Sequence, residues 1–347
     1  MASIFEEDIE SVSHADFISW EEFRDKTILL TGATGLIGAG IVKVLNYMNG
    51  NMNLNITVIA LVRDEQRAKE QFAEILNGRM LKLIAGSVEN LQQIKENVDF
   101  VIHGASQTAS KEFVDHAVET IHTAVKGTLN LLELAKEKNV KGFIYLSSME
   151  VYGYPQKGHK VTENEIGAFL PSNLRNSYPI SKIMCETMCF AYAKEYGVPA
   201  KIVRLTQTFG PGVSYKDNRI FAYFGRCVKE KQNIVLKTRG ETERSYLYTI
   251  DAVTAIFTIL LKGEVGKVYN AADENTYCSI SQMAESVARD SGIQVEYDIQ
   301  DIEVNGFPDT LYMDLDTTLL KQFGWKPVGG GYLIADMFKR MIAELEN

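Results

Sequence analysis

The sequence predicts an α/β fold, a doubly wound parallel sheet followed by a smaller C-terminal α/β region. Three observations predict it. Short apolar runs alternate with helical stretches from Lys26 onward. A glycine triplet, Gly32-x-x-Gly35-x-x-Gly38, joins the first apolar run to the first helical stretch. Beyond about Thr206 the alternation gives way to mixed segments, opened by the loop signal Gly210-Pro211-Gly212. Short apolar strands separated by helices suit a parallel sheet covered on both faces.

Residues 1–25 precede the first strand. Within them, 16–23 mixes acids with Phe17, Ile18, Trp20 and Phe23 and reads as a short helix packed on the body. The first strand is 27–31, and 39–47 lies in the first helix. Further strands are expected at 56–62, 81–84, 100–103, 142–147 and 201–205, with helices at 117–136 and 181–196. After residue 205 come helices at 220–231, 250–261 and 279–291 and a strand at 267–270. This stretch is too short and mixed for a second sheet of the first kind. The expected division is therefore an extension (1–25), a main domain (26–205) and a cap (206–347), some of whose elements return to the main sheet.

The 347 residues are 46% hydrophobic and 23% charged, ordinary for a soluble globular chain. A net charge of −9 argues against a nucleic-acid surface, which needs clustered Lys and Arg. No segment approaches the ~18 apolar residues that span a bilayer. The first ten residues are acidic and lack a signal peptide's basic start, so a cytoplasmic protein is expected. Cys185, Cys189, Cys227 and Cys278 form no C-x-x-C pair and read as packing residues. His14, His103, His116, His122 and His159 show no metal-ligand spacing, and no metal is expected.

Each glycine of the turn Gly32-Ala33-Thr34-Gly35-Leu36-Ile37-Gly38 has a physical task. Gly32 permits a tight turn, Gly35 lets backbone approach a pyrophosphate, and Gly38 lets the helix pack close to the strand. The helix that follows aims its N-terminus at phosphate oxygens. Preceded by a strand and opening a helix, the triplet predicts a dinucleotide site. The second strand ends Val62-Arg63-Asp64. Arg63, assisted by Arg67, favours the 2′-phosphate of NADP, while Asp64 keeps NAD open.

Tyr178-Pro179-Ile180-Ser181-Lys182 puts a phenol and an ammonium on one helix face. A free phenol, with a pKa of ~10, is a poor base at neutral pH, and a neighbouring ammonium favours its ionised form. The pair can take a proton from a hydroxyl as hydride leaves the carbon. Ser148 ends a buried strand, where open α/β sheets hold ligands, and can polarise the same oxygen.

With these residues in view, the chain resembles the extended short-chain dehydrogenase/reductase family. The likeness is to its NAD-dependent epimerase/dehydratase group, Rossmann-fold proteins that act on nucleotide sugars. The resemblance covers roughly residues 26–290. It rests on the glycine turn, His103-Gly104-Ala105-Ser106, 147–153, Tyr178 with Lys182, Arg204 ahead of Gly210-Pro211-Gly212, and 244–251. It implies that Ser148, Tyr178 and Lys182 are catalytic, with Glu150 a second acid–base group. It assigns Thr34, Leu36, Ile37, Ser87, Val88, Gly104, Ala105, Ser106 and Ser147 to the cofactor. It assigns Gln107, Met149, Gln207 and Arg244 to the substrate, with Arg244 on its phosphates.

Departures point to a divergent branch. The Asp-Glu pair of many 4,6-dehydratases is here Met149-Glu150, and Met cannot protonate a leaving hydroxide. The usual Asn before the Gly-Pro-Gly turn is Gln207, and the common Gly-Asp after the third strand is Gly86-Ser87. The resemblance implies a nucleotide-sugar epimerase, decarboxylase or dehydratase. Two alternatives stand beside it: an NADPH-dependent reductase of a nucleotide-linked ketose, and a cofactor-binding regulator without catalysis. The family also implies a homodimer joined through 117–136 and 181–196.

Overall fold

The computed structural model describes residues 3–107, 112–300, 309–328 and 331–345. Seven parallel strands form the main sheet: β1 (Thr27–Thr31), β2 (Thr57–Val62), β3 (Leu81–Ala85), β4 (Phe100–His103), β5 (Gly142–Ser148), β7 (Ala200–Leu205) and β11 (Val268–Ala271). Their order is β3-β2-β1-β4-β5-β7-β11. The chain winds outward from β1 to β3 and then returns to the other side of β1. The carboxyl ends of β1 and β4 therefore flank the switch point, where such sheets hold ligands.

The strands are apolar throughout because both faces are covered. Successive side chains alternate between two cores. Ile28 and Leu30 join one and Leu29 the other, and Ile144 and Leu146 oppose Phe143 and Tyr145 in the same way. Helices Leu36–Met52 and Thr249–Lys262 pack on the first face, and Gly127–Lys138 and Ser177–Tyr196 on the second. Gly40 permits the first pair to approach, since a Cβ there would lie 3.0 Å from Val253.

The region expected as one helix over 117–136 is interrupted. Ala117–Ile121 and Gly127–Lys138 are joined by a π-helical turn, His122–Lys126. Gly127 is thereby seated on Val88, where a Cβ would come within 2.5 Å. Before β1, a turn at Trp20–Phe23 carries Trp20 and Phe23 into the core against Phe257. Ahead of it lies a helix the sequence reading passed over, Ile4–Val12, capped reciprocally by Ser3 and Glu6.

Five of the other strands build a second sheet, β12-β10-β14-β6 with β8 beside β10. These are β6 (Lys160–Val161), β8 (Gln207–Phe209), β10 (Glu243–Tyr248), β12 (Asp273–Ser279) and β14 (Tyr312–Leu315). A small pair joins β9 (Ile234–Leu236) to β13 (Val295–Tyr297). β11, from the C-terminal part of the chain, closes one edge of the main sheet.

Candidate active site at the carboxyl edge of the main sheet

The turn after β1 is sterically exacting. Gly32 has φ +76°, and a Cβ there would fall 2.8 Å from the Gly104 backbone. A Cβ at Gly38 would lie 2.1 Å from the Gly32 carbonyl oxygen. Gly35 differs: it is exposed, and its Cβ would find no protein atom nearer than 3.4 Å. The protein itself therefore does not require a glycine there, and the open space suits a close-approaching ligand. The 17-residue helix Leu36–Met52 starts at Gly35 with no side-chain cap and no acid in its first turn. Its first N–H groups face the turn unclaimed by side chains, which fits a pyrophosphate. Thr34, Leu36 and Ile37 are half-buried around it, with Leu36 under Gly212 of the Gly-Pro-Gly loop.

β4 is bolted to this turn. Thr31 Oγ1 bonds His103 Nδ1 (2.9 Å) and accepts from the Ala105 N–H (3.1 Å), and His103 Nε2 meets Thr128 Oγ1 (3.1 Å). Burial, reinforced by the Lys182 charge, lowers the His103 pKa to about 3, so the ring is a neutral clamp. Gly104, Ala105 and Ser106 are thereby held beside Gly32. Ser106 donates to the Gln107 carbonyl (3.1 Å), and the next four residues lie outside the described chain.

At the end of β5 neighbouring residues diverge, as strand geometry requires. Ser147, expected against the cofactor, donates its hydroxyl to Glu186 (2.6 Å), which is itself forked onto Arg204 (3.0 and 2.7 Å). Ser148 points the other way, toward Tyr178, and its oxygen accepts the Glu150 N–H (3.2 Å). Met149, expected beside the substrate, is buried with Val151, Tyr152 and Ala272, with Thr206 Oγ1 3.3 Å from its sulfur. Glu150 is part-exposed and pairs with Arg175 at 2.8 Å.

Helix Ser177–Tyr196 brings Tyr178 and Lys182 to the same place. Burial raises the phenol pKa above its ordinary value and Glu150 raises it further, while Ser148, Arg175 and Ser106 oppose them. Burial lowers the Lys182 pKa to about 8. Its Nζ donates to the Leu146 carbonyl (2.7 Å) and lies 5.6 Å from the Tyr178 ring centre. Ser148, Tyr178 and Lys182 thus converge. Two neighbours went unread in the sequence. Phe113 stacks on Tyr178 (centroids 4.3 Å apart, planes at 6°), and the Arg175 guanidinium lies over the Phe113 ring, 4.8 Å from its centre. Arg175 stands three residues before Tyr178, one helical turn away, and that spacing was the available signal.

At the outer end of the crevice, Asp64 Oδ1 accepts the Arg67 N–H (2.9 Å) and caps helix Glu65–Gln71, while Arg63 is exposed. Val88 is buried, and Asn130 holds its carbonyl (2.8 Å), fixing the turn after Ser87. Across from the main sheet, β8 and β10 set Gln207 beside Arg244, Nη1 to Oε1 at 3.3 Å. Among the described residues, Arg244 Nε is buried without a hydrogen-bond partner. Among the described residues no cluster of His, Cys, Asp and Glu could hold a metal, and no helix is long and apolar enough to cross a membrane.

A glycine cradle at the switch point and a Ser–Tyr–Lys group beside it mark the short-chain dehydrogenase/reductase class. Residues 28–272 match the NAD dependent epimerase/dehydratase family, and the chain belongs to that family. It is 28% identical over 309 residues to a trifunctional UDP-glucose 4,6-dehydratase/UDP-4-keto-6-deoxy-D-glucose 3,5-epimerase/UDP-4-keto-L-rhamnose-reductase of Arabidopsis thaliana, covering 88% of this chain and 45% of the plant protein. The chain thus spans about half the length of the plant relatives it matches. It is 28% identical over 307 residues to UDP-glucuronic acid decarboxylase 1 of Danio rerio, covering 87% and 69% of the two chains. Among solved structures, UDP-glucose 4-epimerase of Thermotoga maritima with UDP-glucose superposes with a TM-score of 0.76 at 22% identity, over 92% and 98%. The dTDP-glucose 4,6-dehydratase of Bacillus anthracis with NAD gives 0.74 at 22% identity, over 92% and 96%. The likeness to these solved structures establishes the fold.

Proposed function

We propose that this chain is an NAD(P)-dependent nucleotide-sugar epimerase, decarboxylase or dehydratase that works at a sugar carbinol carbon. The observation that carries the reading is the convergence of Ser148, Tyr178 and Lys182 beside the glycine cradle. The bound dinucleotide supplies the hydride acceptor. Tyr178 takes the hydroxyl proton, Ser148 holds the oxygen that becomes a carbonyl, and Lys182 keeps positive charge near the phenol. Arg244, with Gln207, clamps the substrate's phosphates, which answers the orphaned Nε. Glu150 serves as the second acid–base group, since Met149 carries no proton and is buried.

Three further features belong to the same reading. Residues 206–347 act as a cap over residues 26–205. The chain works as a homodimer: Val118, Ile121, Leu129, Met184 and Phe190 are exposed on the two helical segments that would pair, and covering such a row removes apolar area from water. It works in the cytoplasm, which suits its four free cysteines.

The test is a panel of UDP-, CDP-, GDP- and dTDP-sugars, followed by mass spectrometry and by absorbance of reduced nicotinamide. One donor should be converted with no net consumption of NADPH. Stoichiometric consumption would overturn the redox-neutral reading.

A further inference from the structure

We propose that two helices outside the family segment, Ile4–Val12 and Ile334–Ala343, form a clasp that positions the Gly-Pro-Gly loop over the dinucleotide crevice, with Asp8 and Tyr248 as positioning residues. The proposal rests on the dinucleotide reading of the glycine turn and goes beyond it, because it gives the flanking helices a part in holding the cofactor.

The clasp centres on a buried acid. Asp8 is 1% exposed, and burying a carboxylate is costly unless it is paired. Its partners come from two distant parts of the chain. Oδ2 accepts from the Tyr248 hydroxyl at 2.5 Å, and Oδ1 accepts from Arg340 Nη2 at 2.7 Å. Arg340 Nε donates to the Tyr248 oxygen at 3.0 Å and closes the ring of bonds. The guanidinium also lies 5.0 Å from the centre of the Tyr332 ring, which meets Tyr248 edge-on at 4.8 Å. Phe5, Ile9 and Val12 already bury the apolar stripe of the first helix. Packing alone thus does not call for an acid at position 8, whereas a directed bond to Tyr248 does.

Tyr248 stands at the root of the loop. It ends β10 in register with Phe209, which ends β8. Helix Ile334–Ala343 grips Phe209 as well, through Phe338 at 4.9 Å between ring centres. Gly210 then lies against the Tyr248 ring, where a Cβ would come within 2.8 Å. Two residues on, Gly212 reaches the cofactor turn: its Cβ would fall 3.2 Å from Leu36, the first residue of the dinucleotide helix. A continuous line of contact therefore runs from Asp8 through Tyr248 and the loop to Leu36. In packing this close a shift of Tyr248 is passed on to the loop.

Calorimetric titration with NAD+ and NADP+, well below the melting temperature, tests this on the full chain and its variants after any retained dinucleotide is removed by charcoal treatment. Tyr248→Phe keeps the ring against Gly210 and removes only its tether. Asp8→Asn keeps the shape and removes the charge that orients both partners. Each should weaken binding of whichever dinucleotide the unaltered protein takes by roughly three- to thirtyfold. The double variant should bind no more weakly than the worse single one, because members of one bonded ring are not additive. Ile9→Val is the control. It thins the packing of the first helix and leaves the ring alone, so it should lower the melting temperature and keep the dissociation constant. Weakening by Ile9→Val as large as that by Tyr248→Phe would reduce the clasp to general stability and overturn it. If the unaltered protein binds neither dinucleotide, the dinucleotide reading fails and takes the clasp with it. Binding indifferent to both ring variants, even where they melt earlier, leaves that reading standing and sinks the clasp.

Discussion

In the main sheet β2, β4, β5 and β7 are sealed on both faces along almost their whole length, whereas β12 and β14 of the second sheet mix buried with more open positions. The two sheets therefore present ligand groups differently. The first is a rigid frame that places chemistry only where its strands end, at Thr31, His103 and Ser148. The second carries Arg244 within a strand, beside Gln207 of its neighbour, and leaves part of that side chain unsatisfied. The frame requires particular residues for its own folding; the second sheet holds residues whose requirement comes from the ligand.

The largest expected effect comes from Tyr178→Phe. Turnover should fall by about 10²–10⁴-fold with nucleotide affinity and melting temperature unchanged, as loss of a general acid–base group predicts. Unaltered turnover at saturating substrate would remove the phenol from the chemistry. Next come two glycines of one turn. Gly38→Ala should cost roughly 1–3 kcal/mol of stability through overpacking against the Gly32 carbonyl, and abolish dinucleotide binding with it. Gly35→Ala should leave the melting temperature alone and still weaken binding tenfold or more by calorimetry. Equal melting losses in both variants would break the distinction between protein-required and ligand-required positions.

On the second sheet, Arg244→Ala should raise KM for the nucleotide sugar by roughly 10–100-fold, the scale of a lost hydrogen bond to a charged partner. Stability should drop little, because among the described residues Nε has no partner and Nη1 makes only the long 3.3 Å bond to Gln207. A lowered melting temperature would mark Arg244 as structural. The smallest effect is expected at Arg175→Gln. Arg175 opposes the Glu150 charge at the phenol, so its loss pushes the Tyr178 pKa further up. The acid limb of the kcat/KM profile should then move to higher pH by about one unit, roughly tenfold in rate below it. Adding Glu150→Gln should pull the limb back; a limb that stays put in both variants would show that the pair does not tune Tyr178.

The same contrast explains what could be read from residues alone. The main-sheet strands and helix Ser177–Tyr196 were legible because two-sided burial writes unbroken apolar runs and four-residue spacing is a helical signature. β10 and β12 were not, because Glu-Arg-Ser-Tyr-Leu-Tyr and Asp-Glu-Asn-Thr-Tyr-Cys-Ser spread their apolar residues thinly, and β10 is irregular where it pairs with β12 between Arg244 and Tyr246. Helix Ile4–Val12 had a readable start in Ser3-x-x-Glu6 and an apolar stripe at Phe5, Ile9 and Val12. Of the site, Ser148, Tyr178 and Lys182 followed from motif and spacing. Ser147 and Met149 illustrate the limit: adjacent residues face opposite ways, and only the pleat and the 3₁₀ turn after it decide which reaches the crevice. Phe113 comes from a segment over sixty residues away in sequence, and nothing local announces it.

Glu186 lies one turn beyond Lys182 and is fastened to Ser147 on β5 and to Arg204 on β7. That bolt ties the helix bearing Tyr178 to the strand bearing Ser148. Ser148, Tyr178 and Lys182 are consequently held as one body. Motion elsewhere in the chain can then leave the arrangement of Ser148, Tyr178 and Lys182 undisturbed.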